Sequence, residues 1–176
     1  MSMPSSLNRG LPVTVLYLAL SGCALQPYKP PPGSPAATIR VVSASTGTFP
    51  PRTSVFTFAK AEACEGRRWL HNETRPNDGQ FLGSGFAPIE ANKPISIAVF
   101  STVQGNTLSA TYCAPIFMFT PTPNRHYIAE ISADGNQCRI QLKSAATVEG
   151  RQSRDEPFVP RRYRQGFDES SSFCTP

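Results

Sequence analysis

Apolar and polar residues alternate along much of the chain, which is the pattern of strands that bury one face. In the stretch ISIAVFSTV, Ile95, Ile97 and Val99 fall on one face, and Ser96 and Ala98 fall on the other. Several such short strands separated by turn residues predict an all-β fold, an antiparallel β-sandwich. Six further segments are predicted to be strands, at residues 38–43, 54–59, 106–113, 116–120, 126–132 and 138–143.

The strongest turn signal in the chain is Asp134-Gly135, which separates two of the predicted strands. An Asp-Gly pair tolerates the positive φ that a tight hairpin turn requires. The resulting register puts Cys138, Ile140 and Leu142 on the inward face of the second strand. A shift of one residue would turn all three side chains outward, so this turn decides where the cysteine points.

The stretch AKAEACEGRRWLHN has the composition of a short helix, although Gly66 and the lack of an apolar face count against one. It contains Arg67, Arg68 and Trp69, and arginine and tryptophan are enriched at interaction hot spots. These three residues are therefore one candidate binding surface. The simpler alternative is that Trp69 anchors the core beside Cys64.

Positive charge is concentrated near the C-terminus. The whole chain carries 17 Lys and Arg against 12 Asp and Glu, a net charge of +5. Arg161, Arg162 and Arg164 lie close together in this region and are a second candidate binding surface. Such a segment can contact an anionic envelope polymer or lipid, although a solvated surface is the simpler alternative.

The first apolar run, residues 11–20, is about half the length of roughly 20 residues that a membrane-spanning helix needs. Arg9 precedes the run and small residues follow it, as in a secretory signal peptide. Pro12 within the run and the loop-like sequence after it argue against a short buried helix. We therefore expect residues 1–22 to be a signal peptide.

The end of this segment, Leu20-Ser21-Gly22-Cys23, resembles the lipobox of bacterial lipoproteins. The resemblance implies that the Cys23 sulfur receives a diacylglycerol group, that the chain is cut just before it and that the new amino group is acylated. In that family an aspartate after the cysteine favours retention at the inner membrane. Ala24 stands here instead, which implies an outer-membrane lipoprotein.

Without the signal peptide and Cys23, the chain keeps four cysteines: Cys64, Cys113, Cys138 and Cys174. An even number in an exported chain predicts two disulfides, because the periplasm is oxidising. Three pairings are possible, and the sequence alone does not choose between them. We favour Cys113 with Cys138, because both lie in the most strand-like region, and Cys64 with Cys174. A metal site is the alternative, but the spacings fit no zinc module.

These signals divide the chain into four parts. Residues 1–22 are the signal peptide, and residues 23–37 are a lipidated tether whose prolines favour an extended spacer. Residues 38–145 are the β-sandwich domain, which loosely resembles the immunoglobulin-like or transthyretin-like sandwiches of many bacterial lipoproteins. Residues 146–176 are a basic extension pinned by Cys174. A fold resemblance of this kind carries no function.

The sequence shows no pattern typical of catalysis. Its two histidines are His71 and His126, and GSGF lacks the spacing of a nucleophile elbow. We expect no enzyme activity, no metal, no cofactor apart from the covalent lipid on Cys23, and no nucleic-acid partner. The prediction is a non-enzymatic binding or structural component of the envelope, anchored at the outer membrane with its domain in the periplasm. The alternative is a periplasmic inhibitor or immunity protein directed against a cell-wall-active enzyme.

Overall fold

The computed structural model describes residues 25–44, 52–71, 85–106, 109–134, 137–149, 152–168 and 170–175. Residues 1–22, Cys23 and Gly135 lie outside them. The described residues contain strands and no helix. The strands are β1 Ala36–Ala44, β2 Arg52–Lys60, β3 Glu65–His71, β4 Ala87–Glu90, β5 Ile95–Asn106, β6 Ser109–Cys113, β7 Ile116–Phe119, β8 His126–Asp134, β9 Gln137–Ala145, β10 Arg154–Asp155, β11 Val159–Tyr163 and β12 Cys174–Thr175.

The described strands form two sheets, which confirms the predicted all-β class. One sheet has five strands in the order β10-β9-β8-β1-β4. The other has seven, in the order β12-β11-β7-β5-β2-β3, with β6 also paired to β5. Neighbouring strands are antiparallel except β1 and β8, which run parallel. This one pair departs from the fully antiparallel arrangement that the sequence predicts.

The main core lies between the inner faces of the two sheets, as the alternation predicts. Ile95, Ile97 and Val99 of β5 are buried in it, and Tyr127 and Ile131 of β8 enter it from the other sheet. Full burial of a side chain of this size contributes about 1.5–3 kcal/mol. The same cluster includes residues from both sheets: Ala37, Ile39, Val41, Val55, Leu70, Ala87, Ile89, Phe117, Phe119, Ala129 and Leu142.

A disulfide joins the two sheets, and its pairing is the one predicted. Strands β8 and β9 form a hairpin in which Asp134 is opposite Gln137, so two residues connect them. Cys138 of β9 bonds to Cys113 of β6, with their Cα atoms 5.6 Å apart. Because β6 belongs to the seven-stranded sheet and β9 to the five-stranded sheet, this bond holds the sandwich closed.

The second predicted disulfide, Cys64–Cys174, ties the C-terminal strand β12 to the turn before β3. The predicted basic extension is therefore pinned at Cys174, but it is not an appendage. Strand β10 pairs with β9, and β11 pairs with β7. β11 covers an edge of β7 whose backbone groups would otherwise lack partners, so the extension completes both sheets.

The stretch with helical composition forms a hairpin, in agreement with the features that count against a helix there. Strand β3 pairs with β2 after a turn that ends at Cys64, which has a φ of 49°, and Gly66 within β3 has a φ of 68°. Only glycine adopts that conformation without strain, and a Cβ at Gly66 would lie 2.9 Å from the Ala59 Cβ. Lys60 and Glu65 close the hairpin with an ion pair of 2.6 Å.

Part of the predicted tether, residues 23–37, is hydrogen-bonded to the folded domain. The N–H of Trp69 donates to the Gln26 carbonyl at 3.0 Å, and the N–H of Tyr28 donates to the Trp69 carbonyl at 2.6 Å. The segment therefore pairs with the outer edge of β3, where unpaired backbone groups attract a strand. A turn from Pro31 to Ser34, with a φ of 78° at Gly33, then leads into β1.

Candidate interaction surface

The outer face of the seven-stranded sheet carries a second apolar cluster, separate from the main core. Buried side chains in it come from β2, β5 and β7, from the turn before β3 and from the C-terminal segment. Leu25, Trp69 and Phe100 pack against it and are partly exposed. We call this surface the aromatic face and define it by Phe56, Phe58, Trp69, Phe100, Tyr163 and Phe173.

Strand β2 shows how the sequence produces this surface. Val55 points into the main core, whereas Phe56 and Phe58 belong to the outer cluster. Successive side chains of a strand point to opposite faces, so a strand with apolar residues at both sets of positions has both faces covered. The segment SVFTFA has apolar residues at both sets of positions, which indicates from sequence that both faces of β2 are covered.

The rings of the aromatic face form a row across β3, β2, β5 and β11. The centroids of Phe56 and Trp69 are 4.2 Å apart. Phe56 and Phe100 meet edge to face at 5.5 Å, and Phe100 and Tyr163 meet edge to face at 5.3 Å. Pairs of this kind contribute about 0.5–1.5 kcal/mol each beyond the area they bury. The row is therefore a rigid surface.

Two arginines place positive charge on this face. The guanidinium carbon of Arg67 lies 5.0 Å from the Phe56 ring centre and 4.7 Å from the Phe173 ring centre. The face of an aromatic ring attracts a cation. Arg161 of β11 donates a hydrogen bond to the Glu62 carbonyl. The charge is thus held next to the rings by contacts at fixed positions.

The structure brings together three of the six residues nominated from sequence as a binding surface. Arg67 and Trp69 lie on the aromatic face, and Arg161 joins them because it is opposite Ile116, which belongs to the same cluster. Arg68 lies between Arg67 and Trp69 in β3 and therefore points to the opposite side of the sheet. Trp69 lies outside the main core and is partly exposed.

Arg162 and Arg164 are exposed but are not part of the aromatic face. Arg162 takes the alternate position of the β11 pleat and is opposite Thr175 of β12. Arg164 follows the strand, and its N–H donates to the Phe173 carbonyl at 2.8 Å. Arg164 therefore lies at the margin of the aromatic face, beside the segment that carries Phe173, whereas Arg162 points to the opposite side of the sheet.

Residues 166–168 and 170–171 form a loop segment at the same margin. A Cβ at Gly166 would come within 2.7 Å of the Phe173 ring, so the loop backbone packs directly against the aromatic face. The next residue, Phe167, is fully exposed. On β11, Val159 is 50 % exposed and Tyr163 is 44 % exposed. Exposed apolar residues gathered on one surface indicate an interaction site.

Hydrogen bonds hold this loop in one conformation. The Asp168 carboxylate accepts hydrogen bonds from the Ser170 hydroxyl and N–H and from the Ser171 hydroxyl. These donors, with the Ser170 hydroxyl first, lower the pKa of Asp168. The N–H of Phe167 donates to the Ser171 hydroxyl at 3.0 Å. The exposed ring is therefore presented by an ordered turn.

A small polar cleft lies where the N-terminal segment crosses between the sheets. Burial raises the pKa of the Tyr28 hydroxyl, which accepts a hydrogen bond of 3.1 Å from the Glu90 N–H. Lys93 forms an ion pair of 2.7 Å with Glu90, and Arg68 also lines the cleft. These contacts hold Tyr28 and the N-terminal segment around it against the folded domain.

The described ranges show no arrangement typical of a metal centre, since no three His, Cys, Asp or Glu side chains within them are close enough to hold an ion. The His126 ring contacts Thr38 through a hydrogen bond of 2.8 Å and meets Phe86 edge to face. His71 belongs to β3, and its side chain is outside the described part. In that part of the chain, no helix has the length and apolar character needed to cross a membrane.

No protein-family model, no curated protein and no solved structure matches this chain. The function is therefore inferred from the chemistry of the aromatic face and of the N-terminal sequence. That chemistry is a row of rings, of which Trp69, Phe100 and Tyr163 are at least partly exposed, with arginines beside it and with the N-terminal and C-terminal segments packed against the same cluster.

Proposed function

We propose that this protein is a lipid-anchored component of the bacterial cell envelope with a non-enzymatic binding or structural role. The anchor is a lipid on Cys23, the membrane is the outer membrane, and the folded domain faces the periplasm. The motif Leu20-Ser21-Gly22-Cys23 after a short apolar run supports the anchor. The four remaining cysteines form two disulfides, which suits an oxidising compartment.

The observation that carries the binding role is the aromatic face itself. Trp69 and Tyr163 are amphipathic rings at partly exposed positions, and Arg67 lies against the rings. Aromatic residues and arginine are enriched where proteins bind their partners. We therefore assign the contact with an envelope component to this face.

The anchor is tested by changing the cysteine that would carry the lipid. The variant Cys23→Ser loses the only sulfur in the motif, and Ser21→Ala is the matched control because it keeps a small residue there. Both are expressed in a bacterial host and their cell envelopes are fractionated. Ser21→Ala is expected to remain with the membrane and Cys23→Ser to become soluble, because only the Cys23 thiol can form the thioether that carries the lipid. Equal membrane association of the two variants would contradict the proposal.

A further inference from the structure

We infer that the aromatic face lies on the anionic phospholipid surface itself, so that the domain is seated on the membrane and not raised above it. This inference rests on the proposed lipid anchor at Cys23 and identifies the envelope component that the face contacts.

The first step is the path of the N-terminal segment. Leu25 packs against the aromatic face, and residues 26–28 are hydrogen-bonded to Trp69. Only Ala24 separates Leu25 from Cys23, so covalent geometry keeps the Cα atoms of Leu25 and Cys23 within about 7 Å of each other. Lipid chains attached at Cys23 would therefore begin at the margin of the aromatic face.

The second step is the chemistry of the exposed rings. Tryptophan and tyrosine are enriched at membrane interfaces, where the ring enters the apolar boundary and the polar atom stays with water. Trp69 and Tyr163 are partly exposed on the aromatic face, and Phe167 is fully exposed beside it. A lipid surface covers these side chains without requiring a shaped pocket in a partner.

The third step is the charge at the margin. Arg164 is exposed there, within reach of a surface on which the face would rest. The exposed Asp168 carboxylate on the neighbouring loop offsets part of this charge. Arg164 acts with Arg67 and Arg161 of the aromatic face to attract anionic headgroups over a screening length of about 8 Å at physiological ionic strength.

Trp69 is the only tryptophan in the chain, so its fluorescence reports on this face alone. The lipidated mature protein is placed in phosphatidylcholine vesicles that contain phosphatidylglycerol, with or without bromine on the upper acyl chains. We expect bromine to lower the Trp69 emission about twofold, because a ring at the interface lies close to those carbons. We also expect vesicles to protect Trp69 from acrylamide.

A pair of matched variants tests the role of charge. Arg164→Gln removes an exposed charge at the margin, and Arg154→Gln removes an exposed charge from β10 on the other sheet. We expect bromine quenching to weaken in the first variant and to be unchanged in the second, while both proteins stay with the vesicles. Equal quenching in the two variants would overturn the contribution of Arg164.

Failure of the seating and failure of the anchor give different results. In one outcome the protein is anchored, but bromine does not quench Trp69 and acrylamide still does. That result overturns the contact between the face and the membrane and leaves the proposed anchor intact. The aromatic face would then be a site for a protein partner. If Cys23 carries no lipid in the native host, the proposed anchor fails. The mature chain is then coupled through Cys23 to a maleimide lipid, and the same quenching measurement decides the seating by itself.

Discussion

The outer faces of the two sheets differ in chemistry although both are built by the same alternation along strands. On the five-stranded sheet the outer face carries mainly polar residues. Lys143 bonds Glu130 at 2.8 Å, and the Gln141 side chain donates to the Asp155 carboxylate at 3.1 Å. On the seven-stranded sheet the outer face is the aromatic face. The outward-facing residues of each strand therefore decide whether the outer face of a sheet is solvated or covered.

Both ends of the described chain meet on the aromatic face and not on the polar one. Leu25 reaches it from the N-terminal side, and Phe173 and Cys174 reach it from the C-terminal side. The Cys64–Cys174 disulfide then fixes the C-terminal segment in place. Both terminal segments of the described chain therefore help to form this one surface.

The largest expected effect separates the two disulfides, one on the aromatic face and one between the sheets. In the chain-entropy model, removing Cys64–Cys174, which spans 110 residues, lowers the free energy of unfolding by about 4–5 kcal/mol. Removing Cys113–Cys138, which spans 25 residues, lowers it by about 3–4 kcal/mol. Urea unfolding of the two double-alanine variants measures both. If removing Cys113–Cys138 lowered the free energy of unfolding more, the main core would depend on its disulfide more than the aromatic face does.

A pair of aromatic substitutions compares the main core with the aromatic face. Phe117 is fully buried between the sheets, and Phe117→Ala is expected to lower the free energy of unfolding by about 3–5 kcal/mol. Trp69 is partly exposed, and Trp69→Ala is expected to cost about 1–3 kcal/mol. Thermal unfolding followed by circular dichroism provides the comparison. If Trp69→Ala cost as much as Phe117→Ala, the aromatic face would be a second core and not a surface.

The hairpin that presents Arg67 and Trp69 depends on a single glycine. Gly66→Ala would place a methyl group 2.9 Å from the Ala59 Cβ at a φ of 68°. We expect a loss of about 1–2 kcal/mol in the free energy of unfolding. The control is Gly33→Ala, which has a similar φ of 78° but no atom within 4 Å of the added Cβ. Equal losses in the two variants would assign the whole effect to backbone strain and none to the contact.

The smallest expected effect concerns pH and the loop that carries Phe167. Hydrogen bonds from serines lower the pKa of Asp168 below its ordinary value of 3.8. A lowered pKa in the folded state gives stabilisation that is present above the ordinary pKa and is lost as the pH falls through the folded value. The stability difference between the native protein and Asp168→Asn should therefore shrink below about pH 4. A difference that stays constant across that range would contradict the assignment.

Much of the fold could be predicted from local sequence. The β5, β8 and β9 segments show period-two alternation, and the two-residue connection at Asp134 sets a register that the structure confirms. The favoured cysteine pairing, which the structure confirms, rests on the strand-like sequence around Cys113 and Cys138. The turn before β3 could not be predicted, because nothing in the sequence there indicates the left-handed backbone at Cys64.

The candidate surface was only partly predictable. Arg67 and Trp69 could be nominated because arginine and tryptophan are enriched at interaction sites. Phe56 could be identified because it is an apolar residue at an outward-facing position of β2. The docking of residues 25–28 depends on the edge of β3, some 40 positions along the chain, so no local pattern shows it. Prolines predict an extended path, but the partner of that path is set by the folded sheet.

The central claim is the lipid at Cys23, because the role of the aromatic face depends on it. Mass spectrometry of the N-terminal peptide, isolated from the membranes of the native host, tests that claim most directly. The account predicts a chain that starts at Cys23, with a diacylglycerol on the sulfur and an acyl group on the amino terminus. An unmodified amino terminus upstream of Cys23 would contradict it.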